Sequence, residues 1–249
     1  MDRQLAVAIN GLIGSSSLLF ETMLFLSGSL PLVACVAVLL ALWWTDSEGG
    51  AATGSPILGG GLLPGRPGLQ VSRRRCVAMG ISTAAAFVCT RIIAFSTHLP
   101  RPLGREVLTI PMAADRWQGT VDAMTGFGAF PSDHAALFFA IGVGLFAWRR
   151  AWGWTGVGAA TVLAVGRVGI GFHYPSDMLA GAAIGVLFGF VAIWLARTPG
   201  APLDGVVALF DRHPAVMYPL LFIGALDFTQ HFRLVIRGVF YLLLTLLGD

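Results

Sequence analysis

Residues 178–195 read MLAGAAIGVLFGFVAIWL, eighteen positions without one Asp, Glu, Lys or Arg. A helix needs ~20 mostly apolar residues to cross the hydrocarbon core of a bilayer, so this run predicts a membrane span. Similar apolar runs lie at about Leu30–Trp44, Cys76–Phe95, His134–Trp148 and Trp152–Ile170, and another begins near Ala215. The fold class expected is all-α: a polytopic membrane helical bundle of five to six spans. The run near Ala215 is the sixth candidate, and Leu234–Leu247 is expected to be a further, amphipathic helix after it.

Composition agrees. Of 249 residues, 56% are hydrophobic and only 12% charged, about half the charged share of a soluble domain, and mean hydropathy is +0.78. The net charge of +3 does not point to nucleic acid, because the basic residues cluster at the ends of apolar runs. Cys35, Cys76 and Cys89 have neither a disulfide nor a zinc spacing.

The first 28 residues lack the cleavage pattern of a secretory signal peptide. Asn10, Ser15–Ser17 and Glu21 interrupt Leu5–Leu26, which is expected to be an amphipathic helix lying at the membrane interface. The organisation expected is this interfacial helix (1–28), a membrane core (29–226) and a C-terminal amphipathic or membrane helix (227–249). Residues 47–72, rich in Gly, Pro and Ser, and residues 96–131 read as loops. If the spans alternate, Arg73–Arg75, Arg149, Arg150, Arg197 and Arg212 share one side, the cytoplasmic one. Arg101, His134, His173 and Asp177 then meet at the opposite face.

Three stretches at that face carry chemistry. In Phe130-Pro131-Ser132-Asp133-His134, Ser132 is a good N-cap for the span that follows. A helix N-terminus favours an anion, and His134 can hold or donate a proton near neutral pH. In Gly166-Arg167-Val168-Gly169-Ile170-Gly171-Phe172-His173-Tyr174-Pro175-Ser176-Asp177, Arg167 is a charge near the end of an apolar run, and Pro175 suits the first position of a new helix. Asp177, four residues after His173, is placed to accept a hydrogen bond from its ring and fix the tautomer. In His98-Leu99-Pro100-Arg101-Pro102, the prolines hold Arg101 on a stiff backbone suited to gripping phosphate oxygens. Read singly, each stretch has an ordinary structural explanation. Together they form an inventory for binding a phosphate, attacking it with one histidine and protonating the leaving oxygen with the other. No pattern of metal ligands accompanies them, so arginines are expected to neutralise the charge, with no metal or cofactor.

These residues resemble the type 2 phosphatidic acid phosphatase family of membrane lipid phosphatases. Its third motif, Ser-Arg, five residues, His, three residues, Asp, fits from Arg167 through His173 to Asp177. Its Pro-Ser-Gly-His motif corresponds to Pro131-Ser132-Asp133-His134, and of its first motif, Lys, six residues, Arg-Pro, the half Arg101-Pro102 is present. The resemblance implies a phosphohistidine on His173, activated by Asp177, with His134 protonating the leaving group. It implies that Arg101, Ser132, Arg167 and backbone near Asp133 hold the phosphate of a lipid, undecaprenyl diphosphate first among the candidates. It also implies a multi-pass protein of the cell inner membrane whose site faces the periplasm or exterior. Three positions depart from the pattern: Ala94 stands for Lys, Asp133 for Gly and Gly166 for Ser. Arg91, one helical turn before Ala94, is a candidate to replace the lysine, and Arg105 is another. Two alternatives stay open: transfer of the phosphoryl group to another lipid, and lipid-phosphate binding or transport without catalysis.

Overall fold

The computed structural model describes residues 1–45, 67–124, 128–198 and 202–230. Among them there is no strand, and they form ten α-helices and two short 3-10 turns. They are α1 (Asp2–Gly14), α2 (Ser17–Leu26), α3 (Leu30–Trp43), α4 (Pro67–Thr97), α5 (Ala114–Met124), α6 (Asp133–Gly144), α7 (Arg150–Gly169), α8 (Pro175–Arg197), α9 (Pro202–Arg212) and α10 (Pro214–Thr229).

Two helices are long and apolar enough to cross a membrane alone, α8 and the stretch containing α4. Two bent pairs, α1 with α2 and α9 with α10, reach that length only when each pair is taken together. Helix length therefore supports two to four spans, fewer than the five or six expected from hydropathy. The difference lies in α7, which is long enough but diluted by glycines and Arg167, and in α3 and α6, which are apolar but short. At 1.5 Å per residue, a helix as short as α3 or α6 falls well below the ~30 Å of a bilayer core.

The helices fall into two units. The first comprises residues 1–28 and 75–199, and it contains the motif residues. Its centre is the pair α6 and α8. Gly181, Gly185 and Gly189 recur every fourth position on α8 and form one stripe. A Cβ at Gly181 would collide with the carbonyl oxygen of Ser132, one at Gly185 with that of Ala136, and one at Gly189 would come within 2.6 Å of the Cβ of Val143. Contacts that advance in step along both helices mean that they run parallel, backbone against backbone. Small residues at this spacing are the usual means of close helix approach in lipid. The N-termini of α6 and α8 consequently open at the same end, tied by the Ser132 amide donating to the Asp177 carbonyl at 3.0 Å. Helix α7 returns antiparallel between them in sequence, with Gly142 of α6 and Gly156 of α7 in close contact.

The N-terminal segment is two helices where one was expected. The chain bends by 113° between α1 and α2. Ser16 is extended and caps α2 by accepting from the Leu19 amide at 3.3 Å, so a capping serine starts a new helix where the run of serines interrupts the pattern. Ala6, Asn10, Ile13 and Gly14 of α1 are buried, and Gly169 of α7 lies against Ile13. The stretch 96–131, read as loop, holds the 3-10 turn Pro102–Gly104 and α5. Helix α5 is polar overall, which hides it from a search for apolar runs; Trp117 packs edge-on to Phe20 with centroids 6.1 Å apart.

The second unit comprises residues 29–74 and 200–249. Helix α4 begins at Pro67, nine residues before the apolar run that marks it in sequence. Arg73 donates to Asp211 at 2.7 Å and Arg74 to Asp204 at 2.9 Å, and Arg73 also covers the rings of Trp43 and Trp44. Pairing and aromatic faces let these charges sit within helix rather than loop. The predicted helix Leu234–Leu247 lies outside the described residues.

Candidate active site

The turn from α7 into α8 sets His173. Gly171 has φ +82°, a conformation that side chains rarely adopt, and its carbonyl accepts from the Leu103 amide at 2.9 Å. After this turn the Phe172 carbonyl accepts from Nη1 of Arg101 at 2.9 Å, and Nη2 of the same guanidinium reaches the Gly128 carbonyl at 3.4 Å. Arg101 therefore ties the loop before α6 to the turn before α8.

His173 is buried. Its Nδ1 lies 2.9 Å from the carbonyl oxygen of Ala129 and 3.6 Å from Oδ2 of Asp177. A carbonyl only accepts, so Nδ1 carries the proton and Nε2 presents a lone pair. That lone pair faces Nη1 of Arg101 at 3.2 Å and Oγ of Ser132 at 3.4 Å. Burial lowers the His173 pKa to about 4; the Asp177 carboxylate opposes this, while the charges of Arg101 and Arg167 add to it. The ring is neutral at pH 7. Asp177 also caps α8, where its Oδ2 accepts from the Tyr174 amide at 2.8 Å.

Ser132 caps α6, accepting from the Ala135 amide at 3.4 Å. Burial pulls the Arg101 pKa down from its usual value, and the Asp133 and Asp177 charges oppose that. Arg167 is buried near the end of α7, donates to the Ser27 carbonyl at 2.8 Å and covers the Phe172 ring. The Nε atoms of Arg101 and Arg167 are buried and have no protein acceptor among the described residues. Two buried, unmatched guanidinium N–H groups beside a neutral histidine suit a multiply charged oxyanion.

Asp133, Arg91 and His134 form a second cluster. Oδ1 of Asp133 accepts from the His134 amide at 2.8 Å and lies 2.9 Å from its Nδ1. Oδ2 lies 3.4 Å from Nη1 of Arg91, whose guanidinium sits over the Phe87 and Phe95 rings. The acid in the family's glycine position is thus paired with the arginine nearest the missing lysine.

Several residues of the site have no signature in sequence. The Ala129 carbonyl belongs to a residue whose side chain is irrelevant to the contact. Asp2 of α1 accepts from the amide and hydroxyl of Ser176, at 3.1 and 2.6 Å. Glu106 pairs with Arg3 and accepts from the Tyr174 hydroxyl at 2.9 Å. Burial and Glu106 push that hydroxyl up to about 12, so it remains a donor. Asn10 did leave a sequence signal, as a polar residue in an apolar stretch. It donates to the Gly169 carbonyl at 2.8 Å and accepts from the Thr109 amide at 2.7 Å, joining α7 to the loop before α5. Among the described residues, no group of three or more His, Cys, Asp or Glu is arranged to hold a metal ion.

A chain this apolar, with arginines and a neutral histidine gathered where two helices begin, fits one class: a helical membrane phosphatase. The model of the PAP2 superfamily matches residues 75–200, about half the chain, and the chain belongs to that superfamily. It is 26% identical to undecaprenyl-diphosphatase BcrC of Bacillus subtilis (strain 168) over 213 residues, 85% of this chain and 92% of that protein. It is 41% identical to bacitracin transport permease protein BcrC of Bacillus licheniformis over 68 residues, 27% of this chain and 34% of that protein. No solved structure matches it significantly.

Proposed function

We propose that the protein hydrolyses a lipid phosphate or diphosphate, undecaprenyl diphosphate foremost, through a phosphohistidine on His173. The observation that carries this reading is the neutral Nε2 of His173 held between Arg101 Nη1 and Ser132 Oγ. Nε2 attacks the terminal phosphorus, an N–P bond forms, and the P–O bond to the leaving group breaks, a lipid phosphate from a diphosphate or a lipid hydroxyl from a monophosphate. His134 gives the leaving oxygen its proton. Water then attacks the phosphohistidine, His134 takes back a proton, and phosphate departs. Arg101 and Arg167 neutralise charge on the transferring group, with their buried Nε–H groups as donors, and Ser132 and the first amides of α6 bind the oxygens. In this reading Arg91 acts on the phosphate only indirectly, through Asp133. The lipid assignment is supported by the name of the Bacillus subtilis relative that the chain matches along most of its length.

The site opens on the extracytoplasmic face of an inner membrane. In support, the helix ends remote from His173 carry Arg149, Arg150 and Arg197, as the positive-inside rule requires of the cytoplasmic side. With α3, α6 and α7 counted as crossings beside α4 and α8, and the segment from Ala215 as a sixth, the chain crosses the membrane five or six times.

Purified protein in detergent should release inorganic phosphate from undecaprenyl diphosphate, with EDTA present, and His173→Ala should release none. Equal release by both proteins overturns the mechanism. Strict dependence on Mg²⁺ removes its metal-free part. Binding of the lipid with no release by either protein favours a binder or transporter.

A further inference from the structure

We propose that Asp133 is a positioning residue that acts through His134, fixing the tautomer in which Nε2 faces the leaving group. This rests on the hydrolytic reading above and adds to it a second acid–histidine pair, alongside His173 and its acceptors.

Asp133 is the first residue of α6, and a helix N-terminus stabilises a carboxylate. Its Oδ1 takes two contacts from one residue, the amide and Nδ1 of His134. A carboxylate with an amide donor on one oxygen and a guanidinium at the other is held ionised, and an ionised carboxylate only accepts. The proton between the two side chains therefore sits on Nδ1 of His134. The ring is held from that side, and it packs edge-on to Phe138 with centroids 5.9 Å apart. In the imidazolium form Nε2 is then the ring atom that passes a proton to a leaving oxygen, and in the neutral ring left behind it accepts one from water. Arg91 completes the device. Unpaired, the Asp133 charge would repel a phosphate held by the neighbouring Ser132. With Arg91 on Oδ2 the pair is neutral, and Arg91 does for Asp133 what a lysine at position 94 would do for the phosphate directly. The charged groups around the pair are Arg91, Arg101 and Arg167, with His173 and Asp177 beyond Ser132.

The test uses the full chain in detergent with farnesyl diphosphate, phenyl phosphate and 4-nitrophenyl phosphate. Asp133→Asn keeps the shape but lets the ring turn over. It should lower kcat on farnesyl diphosphate about tenfold or more, since general acid catalysis is worth roughly 10²–10⁴ and only part is lost, with KM changed less than about twofold. The loss should be larger for phenyl than for 4-nitrophenyl phosphate, whose leaving group departs without a proton. In a His134→Ala background, Asp133→Asn should cost nothing more. An equal loss on both aryl esters, or an additive loss in the double variant, overturns the proposal in favour of a purely structural role. Unchanged kcat overturns it outright. The double-variant comparison on farnesyl diphosphate decides even if the aryl esters are poor substrates. Asp133→Gly, which restores the family's residue, should show the same leaving-group dependence, and it covers the case in which the Asn variant folds badly. If His173→Ala retains full activity, the hydrolytic reading itself fails. If His173→Ala is inactive and Asp133→Asn is fully active, only this inference fails.

Discussion

The Nδ1 proton of His173 goes to the backbone carbonyl of Ala129, 2.9 Å away, while Asp177 stands off at 3.6 Å. The tautomer of the proposed nucleophile is thus held by backbone as well as by an acid. Asp177→Asn should accordingly cost far less than the roughly 10⁴-fold known for the same change in a serine-protease triad, where the acid alone holds the ring. We expect a loss in kcat of about tenfold to a hundredfold, read by phosphate release. Asp177→Ala also removes the α8 cap at Tyr174, so it should lower stability by about 1 kcal/mol more than the Asn variant, read by thermal unfolding in detergent.

The depressed pKa of His173 makes a pH prediction. The acid limb of kcat/KM should fall with a midpoint near 4 rather than near the 6.5 of an exposed histidine. Stability follows with a defined sign. Between pH 4 and 6.5 the unfolded chain binds a proton at this residue that the folded chain refuses. Unfolding free energy therefore rises with pH through that window from this group, and the full benefit is present above 6.5. His173→Gln should flatten that part of a stability–pH curve. A curve that stays steep assigns the effect to another group.

The glycine stripe on α8 separates stability from activity. Gly181→Ala and Gly189→Ala each force a Cβ into α6, and overpacking of this kind costs about 1–3 kcal/mol. Both should lower the melting temperature. Only Gly181 faces the Ser132 carbonyl, so only Gly181→Ala should also lower kcat at temperatures where both variants are folded.

Asn10 predicts a remote contribution from α1. Asn10→Ala leaves the Thr109 amide and the Gly169 carbonyl without this partner inside the protein. An unsatisfied buried group costs about 1–3 kcal/mol, so the variant should unfold earlier. Gly169 ends the helix that leads into Gly171 and His173, and activity near the melting transition should fall in parallel. Unchanged melting would show that water replaces the Asn10 contacts.

Much of the protein is legible in the sequence, for a local reason. Apolar runs report the solvent that a helix prefers. Ser132 and Pro175 mark helix starts because capping and proline geometry act within a few residues. The spacing of Arg167, His173 and Asp177 spans a single turn between two helices, so it carries its geometry with it. Other features were decided only by tertiary structure. The acceptor for His173 is a carbonyl, and carbonyls look alike at every residue. The partner of Asp133 lies 42 positions away, and no local rule pairs it with Arg91. The polar helix α5 has no apolar run to mark it, and Trp117 sets it against Phe20. The sequence by itself determined a membrane-embedded helical protein with a histidine, arginine and aspartate motif at one end. The tertiary fold decided which ring nitrogen of His173 carries the proton, because the Ala129 carbonyl lies 44 positions away in sequence and only folding brings it to 2.9 Å from that ring.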